Sequence, residues 1–340
     1  MHQPAFPAGP AARDRFVTSL RPGRPIHDPW QSHAVVLEHE PTETGSIAHV
    51  ATVFLTGREC PWRCVMCDLW QYTTAADTPP GAIAAQTIAA ETWLAATHPD
   101  VTRIKLYNAG SFFDPRAVPE QDDEAVAAAV ARYDRVIVES HPALIGPRTQ
   151  TFLAALLRHR GRITTDGPVL EVAMGLETVH PVALDRINKR MSVDDFTRAA
   201  STLARMGVAL RVFLLVAPPF IAPAEQDEWL MRSIDTALAS GATAVSLIPT
   251  RHGNGAMDQL ATDGAFAPPH LRDLERVFAL ALTRPRPAGA RVFADIWDLE
   301  RFASCAHCLP ERHARLRTMN LEQRPQPDVA CAHCERANGR

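Results

Sequence analysis

The chain is poor in lysine, in tyrosine and in long apolar runs. Of its 35 basic residues only Lys105 and Lys189 are lysines. With the abundant alanine and proline, this reads as the composition of a GC-rich genome rather than as a functional signal. The longest apolar stretch, around Val212 to Ala222, is broken by Pro218 and Pro219. It falls well short of the roughly 20 residues that a membrane-spanning helix needs. The opening Met1-His-Gln-Pro-Ala-Phe-Pro7 has no apolar signal core. The expectation is a cytoplasmic protein with no membrane partner. Neither sign of charge dominates: the net charge is -3 and 21% of residues are charged. No field over the whole surface therefore draws in nucleic acid or an anionic membrane. Aromatic residues make up 6%, which leaves few rings for stacking on bases.

What is present is enough to build a large α/β protein. The 340 residues are 46% hydrophobic, which suits one large domain or two smaller ones. Residues 1–45, rich in proline and arginine, show no sustained period and predict a loosely structured N-terminal arm that wraps the main domain. Strand-like runs then follow at Ala48–Leu55, Val101–Tyr107, Arg135–Glu139, Val169–Met174, Ala209–Val216, Ala244–Ile248 and Arg291–Ala294. Helical patterns separate them at Ile83–Thr97, Glu124–Arg132, Arg148–His159, Val193–Met206, Ala224–Ser240 and Pro269–Thr283. This alternation predicts a parallel sheet of right-handed βαβ units. Over residues 46–300 it suits a partial (β/α)6-type or full TIM-like barrel, with a doubly wound sheet as the alternative. Residues 301–340 form a small cysteine-rich metal-binding extension. In either α/β fold the site lies at the C-terminal ends of the strands.

The seven cysteines fall into clusters, as metal ligands do in a reducing compartment, rather than spreading out as disulfide partners. Cys60-Pro-Trp-Arg-Cys64-Val-Met-Cys67 follows the first strand directly. Three thiolates on one loop hold three corners of a [4Fe–4S] cube and leave the fourth iron open to a small ligand. A zinc knuckle at this place needs a fourth ligand, and the nearest residues of the right kind are Asp68 and His49.

These residues resemble the radical S-adenosylmethionine (radical SAM) superfamily, in which such a loop opens a run of βα units. The resemblance implies a [4Fe–4S] cluster on Cys60, Cys64 and Cys67. Its open iron chelates SAM, and electron transfer from the reduced cluster releases a 5′-deoxyadenosyl radical that abstracts a substrate hydrogen. It also implies an electron donor such as flavodoxin or ferredoxin. Met66 stands where an aromatic residue is frequent in the family, and its thioether can cover one face of an adenine. By the same resemblance Asn108, Gly110 and Ser111 after the second strand, Glu139 after the third, Glu177 after the fourth and Arg211 in the fifth are the cofactor-binding candidates. The stretches Asn108–Asp114, Val138–Pro142, Met174–Thr178, Ile187–Lys189 and Phe213–Phe220 resemble the branch of the elongator-complex catalytic subunit and the archaeosine synthase radical SAM subunit. That branch implies a nucleoside or tRNA base as substrate and RNA as a partner. A small metabolite is the alternative substrate, and a non-catalytic zinc or Fe–S module the alternative class. His141 departs from the branch, which has arginine there.

Other residues near the strand ends extend the candidate site. Lys189 follows the fourth strand, Thr250-Arg-His-Gly-Asn-Gly-Ala-Met257 the sixth, and Asp295-Ile-Trp-Asp298 the last. Lys189, His252 and Asp295 are the catalytic candidates. Arg251, Asn254 and Asp298 are candidate substrate contacts, and Trp62 a shield for the cluster. Further on, Cys305-Ala-His-Cys308 and Cys331-Ala-His-Cys334 are identical knuckles. Four thiolates saturate a tetrahedral zinc or, alternatively, an auxiliary [4Fe–4S] cluster. Between them Glu311-Arg-His-Ala-Arg-Leu-Arg317 is either a solvated helix face or a track for phosphates.

Overall fold

A computed structural model describes residues 6–161 and 167–334. The ends of the expected arm and extension, residues 1–5 and 335–340, lie outside them. The chain forms one sheet of eight strands in sequential order. These are β1 (Ala34–Pro41), β2 (Ile47–Phe54), β3 (Arg103–Tyr107), β4 (Arg135–Glu139), β5 (Leu170–Glu177), β6 (Ala209–Val216), β7 (Ala242–Pro249) and β8 (Arg291–Ala294). From β2 to β8 all pairings are parallel, while β1 runs antiparallel to β2. Sequential order without a switch point sets aside the doubly wound sheet. Arg211 on β6 pairs with Glu40 on β1, at the far end of the strand order, so the sheet curls round on itself.

The curl puts helices outside and a charged layer inside. Ile104, Leu106, Val136, Val138, Leu170, Val172, Leu210 and Val212 are fully or nearly fully buried on the outer face. They pack with residues of α2 (Ala82–Thr97), α4 (Pro147–Arg160), α6 (Val193–Arg205), α7 (Gln226–Ala239) and α9 (Leu271–Thr283) in one core. The alternate residues point inward, as the strand period of two requires. Inside, Lys105 donates to Glu38 at 2.8 Å and Glu40 at 2.7 Å, and Arg211 pairs with Glu40 and Glu171 at 2.7 Å each. Below them Glu43, on the β1–β2 turn, meets Arg103, Arg135 and Arg291 from β3, β4 and β8.

The barrel is partial, and a helix fills its seam. The sheet order ends at β1 and β8, and α10 (Leu309–Glu322) packs against both strands. Val292 N–H donates to Gln323 Oε1 and Gln323 Nε2 donates to Val292 O, each at 2.8 Å. Ala294 makes the same pair of bonds with Asn320, at 2.8 and 2.9 Å. Two amide side chains thus satisfy an edge that would otherwise need a ninth strand.

The N-terminal arm is ordered where no structure was expected. It contains α1 (Pro10–Ser19) as well as β1. Arg13 of α1 pairs with Asp185 at 2.8 Å, in α5 (Pro181–Arg186). Asp14 accepts from Asn188 at 2.9 Å. Among the described residues no helix is long and apolar enough to cross a membrane.

Candidate functional site

The three-cysteine loop leaves the C-terminal end of β2 and is fastened from several distant segments. Val65 N–H donates to Ile187 O at 2.9 Å, and Asn188 Nδ2 donates to Arg63 O at 2.9 Å. Asn254 Nδ2 donates to Val65 O at 2.8 Å and to Cys67 O at 3.3 Å, and Asn254 Oδ1 accepts from Met257 N–H. Glu59, just before the first cysteine, is held by Arg21 at 2.7 Å, by Arg24 and by Arg63. Asn254 is therefore a buried positioning residue, and the expectation that it meets substrate is corrected.

Cys60, Cys64 and Cys67 are half-buried. Burial pushes all three thiols up to about 12. They are protonated in the apoprotein, so loading a metal must displace their protons. Gly110 lies against Cys60: a Cβ there would stand 3.4 Å from the cysteine Cβ. Lys189 also converges on the cysteines. Burial lowers its pKa, but Glu177 and the thiols of Cys64 and Cys60 outweigh this and raise it. Its ammonium is ion-paired with Glu177, and the pair occupies the space above Gly175. A Cβ on Gly175 would come within 2.1 Å of Glu177 Oε1 and 2.2 Å of Lys189 Nζ, so any side chain there would push the paired ends aside.

Two loops meet beside this pair. His141 N–H donates to Ser111 Oγ at 2.9 Å, and Glu139 accepts from the backbone N–H of Asn108. Burial pushes Glu139 up to about 8, and the Asn108 N–H and Lys189 offset only part of this. The His141 ring stacks on Trp62, with centroids 3.7 Å apart. Its Nδ1 accepts from Ala143 N–H, which leaves Nε2 to donate to Lys189 O at 3.0 Å. Burial and the Lys189 ammonium push its pKa down to about 3, so the stacked ring is neutral. The imidazole is thus neutral and hydrogen-bonded at both ring nitrogens. Asn108 is fully buried, and neither its Oδ1 nor its Nδ2 has a hydrogen-bond partner. An unsatisfied buried amide costs about 1–3 kcal/mol, so Asn108 has the chemistry of a ligand contact in waiting. Together with three thiols and a Gly110 cradle, the residues present fit a cluster and a small polar cofactor.

Backbone strain gathers on the same side. Ala109, Glu177, Asn188, Arg190, Ala217, Phe220 and Asp298 all have φ between 52° and 68°; Asn188 and Arg190 lie between α5 and α6, and the others end or follow a strand. Left-handed non-glycine residues persist where surrounding structure holds them, and they cluster at functional sites.

Other candidates fall elsewhere. Arg211 is buried among Glu40, Glu171 and the Phe293 ring. Two carboxylates occupy its guanidinium deep in the barrel, and the expectation that it binds SAM is corrected. Met66 is partly buried against both hydrophobic cores. Arg251 pairs with Asp295 at 2.9 Å and lies 4.0 Å from Asp298, so these residues satisfy one another. His252 sits on the rim, 3.7 Å from Asp258. Arg312 and Arg315 are buried against Glu275, and Arg315 also holds the carbonyls of Gln326 and Pro327. The proposed phosphate track is thus absorbed into packing.

Sequence reasoning missed the aromatic wall of the mouth. Phe54, Tyr107 and Phe213 lie two residues beyond Thr52, Lys105 and Arg211, on the same inward face. Phe54 lies 5.5 Å from Trp297 and 6.4 Å from Tyr107, which lies 6.2 Å from Phe213, centroid to centroid. The inward charges at Lys105 and Arg211 were the available signal, because they fix which face of each strand looks inside.

At the C-terminal end, Cys305, Cys308, Cys331 and Cys334 form a four-cysteine site. Their sulfurs all lie within 4.8 Å of one another, and among the described residues no other group of three or more ligating side chains gathers so closely. The backbone N–H groups of Cys308 and His307 hold the Cys305 thiol down at about 6.

No protein-family model matches the chain. A curated relative, archaeosine synthase subunit beta of Methanosarcina acetivorans, is 26% identical over 246 residues, 68% of this chain and 66% of its own length. The same-named subunit of Thermococcus kodakarensis is 26% identical over 38% of this chain and 39% of its own. The Elp3 structure from Methanocaldococcus infernus aligns at a TM-score of 0.49 and 15% identity, covering 70% of this chain and 59% of that one. The sequence likeness to the archaeosine synthase subunits indicates the radical SAM superfamily. That likeness supports an enzyme of the radical SAM class, and a separate four-cysteine site lies beyond the barrel strands.

Proposed function

We propose that Cys60, Cys64 and Cys67 hold the [4Fe–4S] cluster and that the mouth above them binds SAM and a nucleoside or tRNA base. With SAM, such a cluster supplies reductive cleavage to a 5′-deoxyadenosyl radical that abstracts a substrate hydrogen. The observation that carries the reading is the convergence of three thiols, the Lys189–Glu177 pair and the unsatisfied Asn108 amide at one strand-end mouth.

Each group there has a task in this reading. Asn108 offers a donor and an acceptor to the amino-acid portion of SAM. Gly110 lets the backbone come close to Cys60. Glu139, protonated at neutral pH by burial, donates to a hydroxyl rather than repelling an anion. Lys189 sets a positive charge beside the cysteines and offsets the negative charge of a thiolate-bound cluster. Trp62 and His141 form a flat wall that keeps water from the loop.

The aromatic wall of Phe54, Tyr107, Phe213 and Trp297 favours a planar substrate, since bases stack on such rings. The relative's name, archaeosine synthase, points the same way. A small metabolite is the second reading. It is favoured because Arg251, Arg312 and Arg315, the residues that would draw in a phosphate backbone, are paired internally. A flavodoxin or ferredoxin is the reductant that either reading requires.

The test is anaerobic reconstitution with iron and sulfide, followed by dithionite and SAM. Formation of 5′-deoxyadenosine is expected from the wild type and not from Cys60→Ala, Cys64→Ala or Cys67→Ala. Undiminished cleavage in those variants would sink the assignment. Salt-dependent tRNA binding would favour the RNA substrate over the metabolite.

A further inference from the structure

The four C-terminal cysteines lie outside the barrel mouth and take no part in the reaction proposed for it. We infer that Cys305, Cys308, Cys331 and Cys334 bind a single zinc ion tetrahedrally, and that this ion fastens α10 into the seam between β1 and β8.

The sulfur geometry selects one ion over a cluster. Cys308 and Cys334 sulfurs lie 3.7 Å apart and those of Cys305 and Cys331 4.0 Å apart. Four thiolates around one zinc, each about 2.3 Å from it, stand about 3.8 Å from one another. A cubane puts each thiolate on a different iron and spreads them wider. The thiols of Cys60, Cys64 and Cys67 do not gather within 4.8 Å, whereas the C-terminal four do. Zinc is preferred to a mononuclear iron because zinc binds N/O/S sites more tightly than ferrous iron does.

The surroundings suit the resulting charge. Four thiolates and one divalent ion carry a net charge of two minus. Arg312 Nε donates to Cys308 Sγ at 3.1 Å, while its other end pairs with Glu275 of α9. The imidazoles of His307 and His333 are exposed and stack on each other 3.8 Å apart, and neither belongs to the group of four gathered sulfurs.

The position gives the ion its role. Helix α10 starts directly after Cys308, and its far end carries Asn320 and Gln323 to the open edge of β8. The chain then doubles back along α10, where Arg315 grips Gln326 O at 2.9 Å, Pro327 O at 2.7 Å and Asp328 at 2.7 Å. It returns Cys331 and Cys334 to Cys305 and Cys308. The ion closes this loop at the root of the helix. Because the four ligands meet only in the folded chain, metal affinity adds to the stability of the folded extension.

The experiment uses the full chain carrying Cys60→Ala, Cys64→Ala and Cys67→Ala, exposed to iron and sulfide and then analysed for metals. One zinc per chain and no visible sulfur-to-iron absorption are expected. Iron, with or without sulfide, would overturn the zinc assignment, and absence of any metal would overturn the site. None of these results bears on the cluster at the barrel mouth, which is tested in the wild type. The fastening is read by amide hydrogen exchange at Val292 and Ala294. Exchange at both should quicken at least tenfold in Cys331→Ser/Cys334→Ser, and equally in wild type stripped by a chelator, while Val212 of β6 stays protected. Unchanged exchange after loss of the ion would refute the fastening.

Discussion

Changing Glu43 to glutamine removes one charge from the base of the barrel and leaves three arginines without their shared carboxylate. Burial alone would raise the pKa of Glu43, but Arg291, Arg135 and Arg103 outweigh it and hold it at about 2, against an ordinary 4.5. The gap of about 2.5 units, at 1.36 kcal/mol each, corresponds to about 3 kcal/mol of folding stability. The side chain is 28% exposed, so solvent screening lowers this rather than raises it. A lowered pKa means that the stabilisation is complete above about pH 4.5 and is lost as the pH falls towards 2. Urea unfolding of wild type and Glu43→Gln should therefore differ by about 2–3 kcal/mol at neutral pH. The two curves should converge on acidification. A difference below about 0.5 kcal/mol at neutral pH, or one that stays constant down to pH 3, would refute the view that this carboxylate locks strands from opposite sides of the barrel.

Asn108→Ala should separate stability from binding. Removing an unsatisfied buried amide should cost the apoprotein less than about 1 kcal/mol in melting experiments, yet weaken SAM binding to the reconstituted enzyme about tenfold or more, as equilibrium titration would show. Unchanged SAM affinity would remove Asn108 from the cofactor site. Glu139→Gln has a pH signature of opposite sign to Glu43. A folded pKa raised to about 8 gives stabilisation that is present below about pH 4.5 and lost as the pH rises through 8. The variant should therefore gain in melting temperature relative to wild type between about pH 5 and pH 9, and a parallel pair of pH profiles would contradict the assigned burial.

The parallel strands and the cysteine spacings were legible because both are local patterns. Parallel strands buried on both faces read as near-continuous apolar runs, and metal knuckles fix their spacing in the chain. Strand β1 was hidden for the opposite reason. Its inward residues include Glu38 and Glu40, so the usual rule of apolar residues toward the core is reversed. Arg211 misled because its partner Glu40 lies 171 residues away, a distance over which sequence spacing carries no information. Asn254 and Arg315 misled in the same way: a polar residue in a loop or on a helix reads as exposed until the segment it grips is known. Asn108 was named from the family likeness alone, and only the packed structure reveals that its amide has no partner.

The three-cysteine loop takes its shape from residues that the ribosome delivers much later. Val65 is gripped by Ile187, and Cys67 by Asn254. When residue 67 is synthesised, most of the framework that positions its sulfur does not yet exist. Long-range contacts of this kind form late in folding. Iron delivered during synthesis would meet a slack loop with free thiols, whereas iron delivered afterwards meets a formed cradle. For the cluster proposed at this loop, loading would follow completion of the barrel, and a substitution as remote as Asn254 would show as a loss of bound iron.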